Sequence, residues 1–484
     1  MPTDAASSIR ANNDKCDQEI RAYLTIDKQP SIAKFVNKNY EFMKANTPTG
    51  VDVAQFWIAR IRNMAKIMNI TLKKGAKVSW KKLEATYKQQ SNSSSPSSSA
   101  AATSKSSSAS VLLSPSDKEK IDAIFEKLDD EKKWTLKSGT VVEDVMREFA
   151  KECDYLHPVH SLILNPYDDC WQARFTQNEL HEIRSYKPLK LEPLPSEVQQ
   201  YFDSYQGLCD LDSLTEKVMS QAAFHPKKQA EVYWAHKAVM EALDLFNYEW
   251  LPMDERTTEA DVVRRVFPFI EKCFDESAFT IISGEKASIS SSERKNAAQC
   301  ITGTETVDRK DTGHKVDVII SYRDLEYGCA EAGLKGGSTS TKWINESDIK
   351  VPRLMKDMLW RMLKPNPTAI NNVIVPGFVI NGLNLMVEMM SIPKHYVCIV
   401  HKFGPMAFPD QIEAFYKQLV PLLTLTWQTK AAVKKTLKAL SNDQTVFIPT
   451  PHTPTPPSVI PPCPPSPRVV SIGTKRKSPE EDDD

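Results

Sequence analysis

Residues 314–333 read HKVDVIISYRDLEYGCAEAG. Residues 315–322 alternate as a β-strand with an apolar run at Val316, Val318, Ile319 and Ile320. Arg323 and Asp324 supply a turn, and 325–330 reads as the returning strand. Asp317 stands inside the apolar run, where a carboxylate is costly unless a partner or a metal meets it. Glu326 opens the second strand. By strand alternation it shares a face with Gly328 and Ala330, and Glu331 points the other way if the strand runs on.

Working outward, 258–274 reads as a helix, with Thr257 or Thr258 as N-cap and acids in its first turn. A short strand follows at 279–282. After the 314–333 hairpin, 347–363 reads as a helix stopped by Pro365. Asn381-Gly382 joins two strands at 372–380 and 383–391, a further strand covers 395–401, and 409–440 is a long helix or a bent pair.

The order helix, three strands, helix, strand over roughly 255–405 resembles the core of the PD-(D/E)XK, or restriction-endonuclease-like, superfamily. The resemblance implies an Asp on the second strand and an acid on the third that hold a divalent metal, with a Lys assisting the attacking water. Phosphodiester hydrolysis fits those residue types, because hard cations take carboxylate oxygens. Carried onto this chain, the catalytic residues are Asp317, Glu326 and Lys335, and the Mg2+ ligands are Glu259, Asp317 and Glu326. Glu331 is a candidate assistant and Glu285 a fourth acid. The chain departs from the pattern at the lysine: the position two after Glu326 is Gly328, and two after Glu331 is Gly333. Stretches such as LHPVHSLIL, TEADVVRRVFPFIEKCF and FTIISGEKAS, together with 314–333, also resemble a large group of uncharacterised proteins from early-diverging filamentous fungi. That resemblance spans about 150–440 and implies no activity.

The rest of the 484 residues divides by composition. Residues 15–90 show helical spacing and hold nine basic residues between Arg60 and Lys88, with Trp80 and Tyr87 interleaved. Arg60, Arg62, Lys73, Lys74, Lys81 and Lys82 are the candidate nucleic-acid contacts, to DNA or RNA phosphates; the alternative is a solvated basic helix face. Residues 91–114 form a Ser-rich linker expected to be disordered, and 115–250 a mostly helical region. Residues 251–440 hold the nuclease-like core. Residues 441–484 are expected to be a disordered, Pro-rich tail able to bind proteins. In that tail Ser466 and Ser478 each precede Pro and are candidate phosphorylation sites, and Lys475-Arg476-Lys477 resembles a short nuclear import signal. Cys153, His157, His160 and Cys170 have spacing open to zinc; the alternative is histidines beside a helix end and a buried cysteine.

Lys and Arg balance Asp and Glu at 62 each, so any pull toward nucleic acid is local. Nine cysteines without a CxxC pair point to a reducing compartment. The N-terminus has no apolar signal region and no apolar run suits a membrane span, which fits an intracellular protein of nucleus or cytoplasm. The expected class is α+β: a mostly helical N-terminal half, then the nuclease-like core. Two functions stand side by side, a divalent-metal nucleic-acid hydrolase with a degenerate motif and an inactive nuclease-fold scaffold.

Overall fold

A computed structural model describes residues 5–26, 30–39, 42–43, 53–68, 70–73, 112–221, 223–251, 253, 257–297, 299, 309–333, 341–442 and 459–467. The chain divides into two compact units, Met1–Ser104 and Lys105–Asp484. In the first, helices α1 (Ala5–Ile26), α2 (Ile32–Lys38) and α3 (Val53–Ile67) close over Ile20, Leu24, Phe35, Trp57 and Ile61. Ser31 caps α2 through its side chain, and the Tyr23 hydroxyl donates to the Ser31 carbonyl.

The second unit is mixed α and β, built on one seven-stranded sheet in the order β1-β7-β6-β5-β4-β3-β2. The strands are β1 (Ile163–Leu164), β2 (Thr280–Ala287), β3 (Lys315–Tyr322), β4 (Leu325–Gly333), β5 (Ile374–Asn381), β6 (Asn384–Lys394) and β7 (Val397–Ala407). Strands β2, β3 and β4 pair antiparallel, β4 and β5 parallel, and β5, β6 and β7 antiparallel. The parallel β4–β5 step needs a crossover. It is supplied by α13 (Thr341–Asn345), a five-residue wide turn Glu346–Lys350, and α14 (Val351–Leu363).

The helical region expected at 115–250 is not a separate body. Its β1 pairs with β7, and the buried Lys356 ammonium on α14 donates to the Ser161 carbonyl at 2.5 Å. Four of its helices are α4 (Pro115–Glu126), α5 (Val142–Glu152), α6 (Gln177–Ser185) and α7 (Ser196–Asp203), followed by α8 (Leu211–Met219) and α9 (Ala230–Asn247). The expected helix at 258–274 is two short ones, α10 (Glu259–Arg265) and α11 (Pro268–Lys272). Pro268 has no N–H to continue the first ladder and instead starts the second. Helix α12 (Ile289–Lys295) follows β2, and α15 (Phe415–Asn442) closes the fold.

One face of the sheet carries Val318, Ile320, Ala330 and Phe378 against Ile270 and Phe274. The other lies under α14. There Gly377 lets the helix approach so closely that an added Cβ would stand 2.3 Å from Val351 Cγ1. That close seat fixes where the N-terminal end of α14 meets the strands.

The Pro-rich tail was expected to be disordered throughout 441–484. Residues 459–467 instead pack on the second unit, with Ile460 fully buried in the main core and Cys463 buried. Pro raises little entropic objection to docking, because its backbone is already restricted.

Candidate active site

Strand β3 pairs with β4 through Val318↔Ala330, Ile319↔Cys329 and Ile320↔Gly328. One step further in the same register sets Asp317 across from Glu331, and directly opposed residues of an antiparallel pair project to one face. That face is the one under α14, since Cys329 is level with Gly377. The Asp317 Oδ2 atom accepts the Ala332 N–H at 2.8 Å, which fixes the carboxylate at the strand pair.

Lysine reaches this place from the crossover. The Val351 N–H bonds back five residues to the Glu346 carbonyl, so the chain widens by one residue before α14 begins. Lys350, the last residue of the wide turn, sets its Nζ 2.5 Å from Glu331 Oε2. Glu331 is 3% exposed, and its Oε1 is buried without a hydrogen-bond partner. Burial pushes the Glu331 carboxyl up to about 8; Lys350 opposes the shift, and the Asp317 and Glu346 carboxylates add to it. Asp317, Glu331, Lys350 and Glu346 thus form one electrostatic group.

Glu326 does not join them. Ile320 pairs with Gly328 but Ser321 pairs with Glu326, so Tyr327 is an extra residue in β4. The bulge turns Glu326 toward α12, where its carboxylate accepts from Ser288 Oγ (2.7 Å), Ile289 N (2.8 Å) and Ser290 N (3.0 Å). It satisfies the first N–H groups of that helix, a structural role. Its partner Ser321 lies four residues along β3 from Asp317, about 13 Å at strand rise. The expected Asp317–Glu326 pair is therefore replaced by Asp317–Glu331.

The other expected residues fall as follows. Glu259 is exposed in the first turn of α10. Glu285 pairs with Lys315 at 3.2 Å on β2, the sheet edge. Lys335 lies outside the described residues. Arg60 is committed to Asp17 at 2.8 Å, Arg62 and Lys73 are exposed, and Lys74, Lys81 and Lys82 lie outside the described residues. At the zinc spacing, His160 accepts the His157 N–H through Nδ1 and sets Nε2 3.2 Å from the Ala150 carbonyl, so both ring nitrogens are engaged within the fold. Among the described residues, no three His, Cys, Asp or Glu side chains converge to hold a metal.

A second acid lies on the same face. Glu388 on β6 is level with Gly377 and fully buried, with both carboxylate oxygens lacking a hydrogen bond. Lys402 Nζ is 3.5 Å away and also contacts Asp348. Burial pushes Glu388 up to about 8 against the pull of Lys402.

No family model matches the chain, and neither a curated protein nor a solved structure matches it. No helix among the described residues is long and apolar enough to cross a membrane.

Proposed function

We propose that the second unit is a divalent-metal-dependent nucleic-acid hydrolase of restriction-endonuclease-like type, with Asp317, Glu331 and Lys350 as its working residues. The observation that carries this reading is the set itself: two carboxylates on adjacent strands, Asp317 close enough to act on Glu331, with an ammonium 2.5 Å from the latter. The antiparallel β2–β3–β4 set, with α12 inserted between β2 and β3, followed by the crossover helix α14 and the parallel strand β5, is compatible with the same reading.

A hard cation such as Mg2+ suits the donors, because Glu331 Oε1 is a buried oxygen with nothing bonded to it and Asp317 stands across from it. Such an ion, when bound, supplies Lewis acidity and a more acidic water. The chain's own residues do the rest. The Ala332 N–H orients Asp317, Asp317 and Glu331 would hold such an ion once Glu331 has lost its proton to solvent, and Lys350 would offer positive charge to a phosphate oxygen. The exposed Arg62 and Lys73 of the first unit would add phosphate contacts.

The scaffold reading has one observation of its own: Lys350 already occupies Glu331 Oε2. Cleavage separates the two. Single- and double-stranded DNA and RNA are incubated with Mg2+ or Mn2+ and the full chain. The expected result is metal-dependent cutting that is lost in Asp317→Ala, Glu331→Gln and Lys350→Met. Glu326→Gln is expected to lower the melting temperature while the folded fraction keeps cutting. Cutting unchanged in Asp317→Ala rejects the site, and no cutting of any substrate leaves the scaffold.

A further inference from the structure

Residues 459–467 are held at Arg353, a side chain 4% exposed on α14. Its Nη2 donates to the Pro464 carbonyl, its Nη1 donates to Ser466 Oγ at 3.3 Å, and its own carbonyl accepts the Cys463 thiol at 3.6 Å. Its Nε–H is buried and has no partner. A guanidinium prefers two strong anionic acceptors, and here it has a carbonyl and a long bond to a hydroxyl.

The surroundings are rich in positive charge. Cys463 faces Arg294, Arg353 and Lys356 against a single carboxylate, Asp357. His314 lies near Lys295, Arg353, Arg294 and Lys350. Asp357 is already bound to Arg294 at 2.9 Å. Ser466 is half-buried at the rim of this cationic group and is followed by Pro467.

We propose that Ser466 is a phosphorylation site and that Arg353 receives its phosphate, clamping 459–467 onto α14. A proline-directed kinase supplies the group from a nucleoside triphosphate. The Ser466 Oγ–P bond forms, the bond from the γ-phosphorus to its bridging oxygen breaks, and a nucleoside diphosphate and the hydroxyl proton leave. The kinase acts on the segment when it is released from α14. The phosphate then replaces a weak neutral acceptor with charged oxygens, engaging Nη1 and the unused Nε–H. Arg353 is one helical turn from Lys350, so the clamp closes beside the candidate active site. The proposal does not depend on the chemistry at Asp317.

The test uses the full chain with phosphoserine encoded at 466, beside the unmodified chain, Ser466→Ala and Arg353→Lys. Hydrogen exchange of 459–467 is read by mass spectrometry, and a proline-directed kinase with ATP is applied to the unmodified chain. The expected result is exchange slowed by about tenfold in the phosphoserine chain, with most of that slowing lost on Arg353→Lys, which keeps charge but not the fork. Kinase treatment is expected to modify Ser466. Exchange unchanged or faster with phosphoserine overturns the proposal, as does slowing that Arg353→Lys retains, or a Ser466 that the kinase leaves unmodified.

Discussion

Asp357→Ala is expected to destabilise the second unit by about 3–5 kcal/mol. Asp357 is fully buried and Arg294 is 6% exposed, and their charged atoms meet at 2.9 Å. Burial raises the Asp357 carboxyl above its ordinary value, and Arg294 is the strongest opposing influence. Without the carboxylate, Arg294 and Arg353 remain as buried cations with no counter-charge between them. Breaking such a pair costs far more than forming it gains, because the remaining charge cannot return to water. The contrast is Glu293→Gln, whose carboxylate bonds Arg361 and Lys364 from a half-exposed position. That change is expected to cost less than about 1 kcal/mol. Urea denaturation of both variants checks the pair. A loss below about 1 kcal/mol in Asp357→Ala would mean that solvent reaches Arg294.

Stability is expected to fall as pH rises from about 6.5 to 8. Glu331 and Glu388 are both pushed up from 4.5 to about 8. Between those values the folded chain keeps two protons that the unfolded chain has lost, so raising pH favours unfolding. Below about 6.5 the buried histidines oppose this. His157 and His160 are lowered to about 4 and His314 to about 3, chiefly by burial, so there the unfolded chain binds more protons. As pH climbs above 6.5 the histidines lose their protons in both states, and the two glutamates set the direction. Each contributes a slope of at most about 1.4 kcal/mol per pH unit, for a combined fall of about 2–4 kcal/mol. Glu388→Gln is expected to halve that slope and to be more stable than the parent at pH 8. Lys402 keeps Asp348 as partner in this variant. Urea midpoints across the pH range decide it; a flat or rising stability from 6.5 to 8 contradicts the buried acids.

The strands β3 and β4 were legible because alternation and the Arg323-Asp324 turn are local signals. The Asn381-Gly382 hairpin was legible for the same reason, and it joins β5, which starts two residues later than read, to β6, which runs three residues further. The acid on β4 was not. Alternation holds only while the register is regular, and Tyr327 inserts one residue at a bulge that pairing, not composition, reveals. Sequence reading placed Glu331 on the far face from Glu326; the bulge sends Glu326 to α12 and leaves Glu331 with Asp317. Lys350 was missed because it lies 19 residues from Glu331 and arrives through the crossover. A possible signal was a lysine just ahead of Val351-Pro352, where a helix begins below a strand end. The strand β1 has two residues and exists only through its pairing with β7, so no local pattern announces it.

Manganese binding tests most directly whether Asp317 and Glu331 share one ion. Mn2+ is titrated into the full chain at pH 8, where Glu331 is half-ionised or more, with free ion read by electron paramagnetic resonance. The expected result is one bound ion in the parent chain, lost in both Asp317→Asn and Glu331→Gln, and weakened in the parent at pH 6 as Glu331 keeps its proton. Binding that survives both substitutions, or a parent chain that takes up no ion at pH 8, contradicts the shared site.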